Sequence, residues 1–282
     1  RMDDIEAIFL THGHEDHIGA VPYLLRERSD IRIIGSQLTL AFVAPKLKER
    51  RITAPMTQVK AGQVEQVGPF TLEFVTVNHS IPDSLAVAIK TPAGVILHTG
   101  DFKMDKMPLD GKVTDLETFA RLGKEGVDLF LVDSTNADVP GLTVAEKDIY
   151  PALKEAIDKT PRRVVVTSFA SHVHRIQQVL NAANESNRKV AYVGRSMIRN
   201  MKLAEDLGYL KVPNGLVVDY KDIDTFGDKI VLVCTGSQGE PLAALSRIAN
   251  GDHEIQVGKG DTVVLASSLI PGNEKSVYRV IN

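Results

Sequence analysis

Thr11-His12-Gly13-His14-Glu15-Asp16-His17 places three imidazoles and two carboxylates in one short stretch, directly after the apolar run 5–10. Neutral imidazoles beside carboxylates suit a divalent, borderline-soft metal ion, and histidine is the commonest metal ligand in proteins. The spacing excludes the helical arrangement in which two histidines four apart share one face. Intervals of two and three suit a loop that turns around an ion at the mouth of a strand.

The chain of 282 residues, 43% hydrophobic, is long enough for two cores. No apolar run approaches the roughly 18 residues needed to span a bilayer, and Arg1-Met2-Asp3-Asp4 does not resemble a signal peptide, so a cytoplasmic location is expected. The single cysteine, Cys234, lies in an apolar run and reads as a small core residue, which excludes a disulfide framework. The net charge of −3 conceals an asymmetry: the segment 159–202 carries a local charge of +8 with Glu185 as its one acid, leaving −11 for the remainder. Such a segment suits either a polyanion or a set of solvated helix faces. Both ends read as cut inside a fold, so a longer parent protein is expected.

Outward from the histidine cluster, the pattern predicts a strand at 5–10, a helix at 18–28, a strand at 31–34 and a helix at 37–49. A β-rich stretch follows over 57–77, then a hairpin over 84–98 and a buried strand over 127–132. From about residue 143 the texture becomes a regular alternation of strands and helices, which implies a mostly parallel sheet covered on both faces. The expected domains are therefore 1–142 and 143–282.

Three more polar residues stand where apolar strands stop: His79 after 72–78, Asp101 after 95–100 and Asp133 after 129–132. Strand ends are rigid platforms for ligands. The series His12, His14, Asp16, His17, His79 and Asp101 resembles the ligand series of the metallo-β-lactamase superfamily. That resemblance implies an αββα sandwich, here lacking its first strands, with a site between its sheets for two zinc ions or, in place of zinc, manganese. It implies that His12, His14 and His79 hold one ion, that Asp16 and His17 hold the second, and that Asp101 bridges them, activating a hydroxide between the pair.

Asp133 in Asp133-Ser-Thr-Asn136, followed by an inserted α/β segment, resembles the first signature of the β-CASP group of nucleases. The set Thr11–Gly19, Val77-Asn-His-Ser-Ile-Pro82, His98-Thr-Gly-Asp-Phe-Lys103, Gly194-Arg-Ser-Met197, Thr235-Gly-Ser-Gln-Gly-Glu-Pro241 and Pro271-Gly-Asn-Glu274 resembles the bacterial ribonuclease J family along nearly the whole chain. The family implies 5′-to-3′ exonuclease and endonuclease action on RNA in mRNA decay and rRNA maturation. Asp16, Asp101 and Asp133 would serve catalysis, with Asp133 orienting a histidine from a later segment. Single-stranded RNA with a 5′-monophosphate is then the expected partner, and homo-oligomers and an RNA-degradation complex the expected assemblies.

In the later half, Ser168 and Ser171 follow a strand and precede a helix, where their hydroxyls and backbone N–H groups can hold a terminal phosphate or simply cap the helix. Gly194-Arg195-Ser196 repeats that placement, and Arg195 can pair with phosphate through two N–H groups or with a surface acid. His172 ranks below these, as a surface group at a helix start. Two later histidines of the β-CASP pattern have no match before Asn282, and His253 sits in the wrong motif. Two rival functions remain: a small-molecule metallo-hydrolase of thioesterase or lactonase type, which leaves the inserted segment without a role, and a non-catalytic RNA-binding subunit, which leaves the ligand set without one.

Overall fold

The computed structural model describes residues 2–282, which divide into one compact unit ending at Ala145 and a second spanning Glu146–Asn282. In the first, β1 (Ala7–Leu10), β2 (Arg32–Gly35) and β3 (Met56–Gln58) form a parallel sheet in that order. A second sheet follows the order β4 (Val64–Val67), β5 (Phe70–Thr76), β6 (Leu85–Thr91), β7 (Gly94–His98), β8 (Leu129–Leu131). Its first three pairings are antiparallel and β7–β8 is parallel.

Side chains of a strand alternate between faces, and the second sheet uses both. Leu72 and Phe74 of β5 and Leu85 and Val87 of β6 pack with Ile34 and Phe9 of the first sheet. Their neighbours Val75, Ala86 and Ala88 point the other way, onto Leu122 and Phe119 of α4 (Leu116–Glu125). Helices α1 (Glu15–Ile18), α2 (Val21–Glu27) and α3 (Gln37–Glu49) lie between strands of the first sheet, with Leu25, Leu38 and Val43 fully buried. The result is the mixed α/β sandwich expected from the sequence. The strand expected to be buried at 127–132 differs: among the described residues β8 is the outermost strand, paired with β7 alone, and Leu129, Phe130 and Leu131 are 42–51% exposed.

The second unit is a five-stranded sheet in the order β11 (Val217–Val218), β10 (Lys189–Val193), β12 (Ile230–Cys234), β9 (Val164–Thr167), β13 (Thr262–Leu265), all neighbours parallel. Crossover helices separate the strands: α6 (Val173–Glu185), α7 (Arg195–Asp206) and α8 (Ala244–Ala249), with α5 (Tyr150–Lys159) before β9 and α9 (Glu274–Ile281) after β13. β9 and β12 are buried along their whole length, as strands covered on both faces must be, and Cys234 is a core residue. Among the described residues no helix is long and apolar enough to cross a membrane.

The basic segment differs from its sequence reading. Lys159, Arg162, Arg163, Arg175 and Lys202 each face a carboxylate, on Glu155, Asp228, Asp261, Glu146 and Asp206. Arg188 spends its donors on the carbonyls of Thr160, Arg162 and Asp228. Part of the local +8 is therefore spent inside the unit, at Arg163, Arg175 and Arg188, while Lys159, Arg162 and Lys202 stay solvent-exposed beside their acids, as does Arg195.

Candidate metal centre

The order of strands in the first unit explains how distant residues meet. β5, β7 and β8 run the same way, so His79, Asp101 and Asp133 all leave the same edge of the second sheet. β1 delivers its own end to that edge, where Leu85 N donates to Thr11 O at 2.9 Å across the two sheets. The loop 11–14 is thereby pinned beside the other strand ends.

Two clusters result: His12 with His14 and His79, and His12 with His17 and Asp101. His79 Nε2 lies 3.2 Å from His14 Nδ1. Asp101 Oδ2 lies 3.9 Å from His12 Nε2, 3.4 Å from His17 Nε2 and 3.9 Å from His79 Nε2. Asp16 is brought only to the rim: its side chain is 79% exposed and touches His17 Nε2 at 3.6 Å. The Asp133 carboxylate is occupied by Thr135 N and Oγ1 at 2.9 and 2.7 Å and by Phe102 N at 3.3 Å, which ties it to the loop that carries Asp101.

The donors fit a metal. Nitrogens on one tetrahedral ion at about 2.0–2.1 Å stand about 3.3 Å apart, close to the separation of the His14 and His79 nitrogens. His12 is fully buried, yet its Nε2 has no hydrogen-bond partner among the described residues. An orphaned buried nitrogen aimed at a carboxylate and three other imidazoles is costly unless a cation satisfies it. Burial, reinforced by the neighbouring imidazoles, pushes His14 down to about 3 and His12 well below its ordinary range. Burial likewise pushes His79 down to about 4 against the opposing pull of Asp101 and Asp133. All three are neutral near pH 7, the form that ligates. His17 moves upward through its hydrogen bond to Asp101, and the Asp101 carboxyl moves downward through the same contact.

Two hydroxyls that the sequence reading passed over hold the imidazoles. Thr11 Oγ1 meets His12 Nδ1 at 3.0 Å, and Ser80 Oγ meets His14 Nε2 at 3.1 Å. Their only signal in the sequence is adjacency to a ligand, Thr11 before His12 and Ser80 after His79.

In the second unit Ser168 follows β9 and is fully buried, with its hydroxyl lacking a partner among the described residues; Thr167 Oγ1 and Ser237 Oγ share that condition. Ser237 follows β12 and was also missed by the sequence reading. Neither Ser168 nor Ser171 caps α6, whose N-cap is His172, without a side-chain cap bond. His172 is not a surface group: it is 6% exposed, with Nε2 3.7 Å from Glu146 Oε1. Gly194 is the N-cap of α7, with Arg195 exposed and Ser196 partly buried on the first turn.

Residues 3–125 match the metallo-β-lactamase superfamily and residues 161–282 the β-CASP domain of ribonuclease J. Ribonuclease J of Corynebacterium glutamicum is 52% identical over 99% of this chain and 39% of its own length. The Mycobacterium tuberculosis protein of that name is 51% identical over 100% of this chain and 51% of its own. That of Thermus thermophilus is 46% identical over 99% and 50%. The chain thus spans about half the length of the curated relatives it matches. A solved Enterococcus faecalis protein of unknown function shares the fold, with a TM-score of 0.61 at 19% identity over 98% of this chain and 73% of its own. With the two domains in sequence and relatives of one name along its whole length, the chain belongs to the ribonuclease J family of metallo-β-lactamase and β-CASP proteins.

Proposed function

We propose that this chain carries the catalytic half of a metal-dependent ribonuclease that cleaves RNA from a 5′-monophosphate end and also internally. The observation that carries the proposal is the pair of donor clusters sharing His12, with Asp101 Oδ2 facing His12, His17 and His79 together. Bound divalent ions, zinc first and manganese second, would supply Lewis acidity toward a phosphoryl oxygen and a more acidic water at neutral pH. His12, His14 and His79 would hold one ion, His17 and Asp16 the other, and Asp101 both. Asp133 acts through the loop it fastens, keeping Asp101 in place.

Ser168, Ser171, His172, Arg195 and Ser196 would receive the RNA. The partnerless hydroxyls of Thr167, Ser168 and Ser237 support a polar ligand at the ends of β9 and β12, where open parallel sheets bind their ligands. Homo-oligomers, a degradation complex and a cytoplasmic setting complete the reading.

The test is cleavage of three RNAs identical except for a 5′-monophosphate, 5′-triphosphate or 5′-hydroxyl end, by zinc- or manganese-loaded protein. Fastest loss of the monophosphate RNA, with mononucleotides released from its 5′ end, is expected. Hydrolysis of thioester or lactone substrates with all three RNAs left intact would overturn the proposal.

A further inference from the structure

We propose that Ser80 is a positioning residue of the metal centre, its hydroxyl oxygen accepting the Nε2 proton of His14 so that Nδ1 is presented to the ion. The inference rests on the histidine triad being a metal site, and it adds a residue that is not itself a ligand.

His14 has two ring nitrogens in different surroundings. Nδ1 stands 3.2 Å from His79 Nε2, and Nε2 stands 3.1 Å from Ser80 Oγ. A neutral imidazole has one N–H and one lone pair. With the proton on Nδ1, His14 and His79 can close on each other through an N–H···N bond, and the lone pair that an ion needs is spent. With the proton on Nε2, the Nδ1 lone pair joins that of His79, and the Nε2–H needs an acceptor.

Ser80 Oγ is placed to be that acceptor, on a half-buried turn between β5 and β6. The second nitrogen of a metal-bound histidine is generally held this way, which fixes both tautomer and ring plane. Thr11 Oγ1 does the same for His12 through the opposite ring nitrogen, Nδ1, leaving His12 Nε2 directed at Asp101. The Ser80 oxygen also lies 3.5 Å from His79 Nε2, so it stands beside both rings, with the shorter contact to His14. Without it, a part-buried N–H loses its protein partner whenever His14 binds the ion through Nδ1.

The test uses zinc alone. Zinc affinity of wild-type protein and Ser80→Ala is measured by competition with a chromophoric chelator, with the thermal midpoint of the metal-free proteins as the check on folding. A loss of about ten- to a hundredfold is expected for Ser80→Ala; affinity within twofold of wild type would overturn the proposal. The second measurement needs no variant: in ¹⁵N-histidine spectra of the zinc-loaded wild-type protein, His14 is expected to show an Nε2–H protected from solvent exchange. A spectrum with the His14 proton on Nδ1, or with a freely exchanging Nε2–H, would also overturn it. Neither readout involves RNA, so zinc binding that depends on Ser80 in a protein that spares RNA would refute the ribonuclease reading and leave this one standing.

Discussion

Asp101 Oδ2 stands 3.4 Å from His17 Nε2, and the same oxygen faces His12 and His79 at 3.9 Å. One carboxylate thus faces residues of both donor clusters, and its hydrogen bond and charge draw the His17 imidazole upward. Asp101→Asn keeps the shape of the side chain and removes that charge. The variant is expected to retain fewer zinc ions per chain by elemental analysis and to cleave RNA on the order of a hundredfold more slowly, at or beyond the upper end of what losing an outer-shell partner costs. Wild-type metal content in this variant would show that Asp101 is not shared between the clusters.

Gly100 fixes where Asp101 starts. Its φ of +60° lies in the left-handed region, and a Cβ there would come within 2.9 Å of Thr11 Cβ. Thr11 in turn holds His12. Gly100→Ala is expected to cost about 1–2 kcal/mol in conformational strain alone, and to weaken zinc binding because the displaced Thr11 carries the His12 ring with it. Thermal unfolding with and without zinc measures both effects; a variant as stable and as tightly metallated as wild type would show that the loop yields without cost.

In the second unit Arg175 is almost fully buried and directs Nε and Nη2 to the two carboxylate oxygens of Glu146, at 2.6 and 3.2 Å, while Nη1 donates to Ala266 O. Gln178 Nε2 adds a bond to Glu146 Oε1 at 2.9 Å. The network ties the start of the unit to α6 and to the end of β13. Glu146→Ala leaves a guanidinium buried without its counter-charge and is expected to cost about 3–5 kcal/mol. Faster amide hydrogen exchange in α6 would localise the loss, and a cost under about 1 kcal/mol would show that water or a rotamer change relieves Arg175.

Much of this was legible in the sequence because it depends on local pattern. The pattern over 57–77 announced β structure, and the apolar run ending at Cys234 announced a buried strand in a mostly parallel sheet. The candidate metal-binding stretch was legible through residue type and spacing. Two kinds of fact were not. Whether an apolar run is central or at an edge depends on pairing partners, so the exposure of Phe130 could not be read from 127–132. Whether a cation is spent on a neighbour depends on contacts distant in sequence, so the pairing of Arg163 with Asp261 could not be read from the basic segment. The hydroxyls of Thr11 and Ser80 are common residues whose role is purely positional, and no composition or spacing rule singles them out.

The same Arg163–Asp261 contact gives a pH signature. Asp261 Oδ2 accepts from Arg163 Nη2 at 2.7 Å and from Gly258 N at 3.0 Å, at the start of the β9–β13 ladder. Burial alone would raise this carboxyl, but the hydrogen bonds and the charge of Arg163 outweigh it, and the group is held below its ordinary value. A carboxyl depressed in the folded state favours folding at any pH above its unfolded value of about 3.9, and that contribution disappears as pH falls through the folded value. Asp261→Asn lacks the titration while leaving Arg163 facing an amide. Urea unfolding of both proteins at pH 7, 5 and 3 is therefore expected to show a gap in stability that is full at pH 7 and 5 and narrows at pH 3. A gap independent of pH would mean that Asp261 contributes through shape and neutral hydrogen bonding, with its charge solvated in both states.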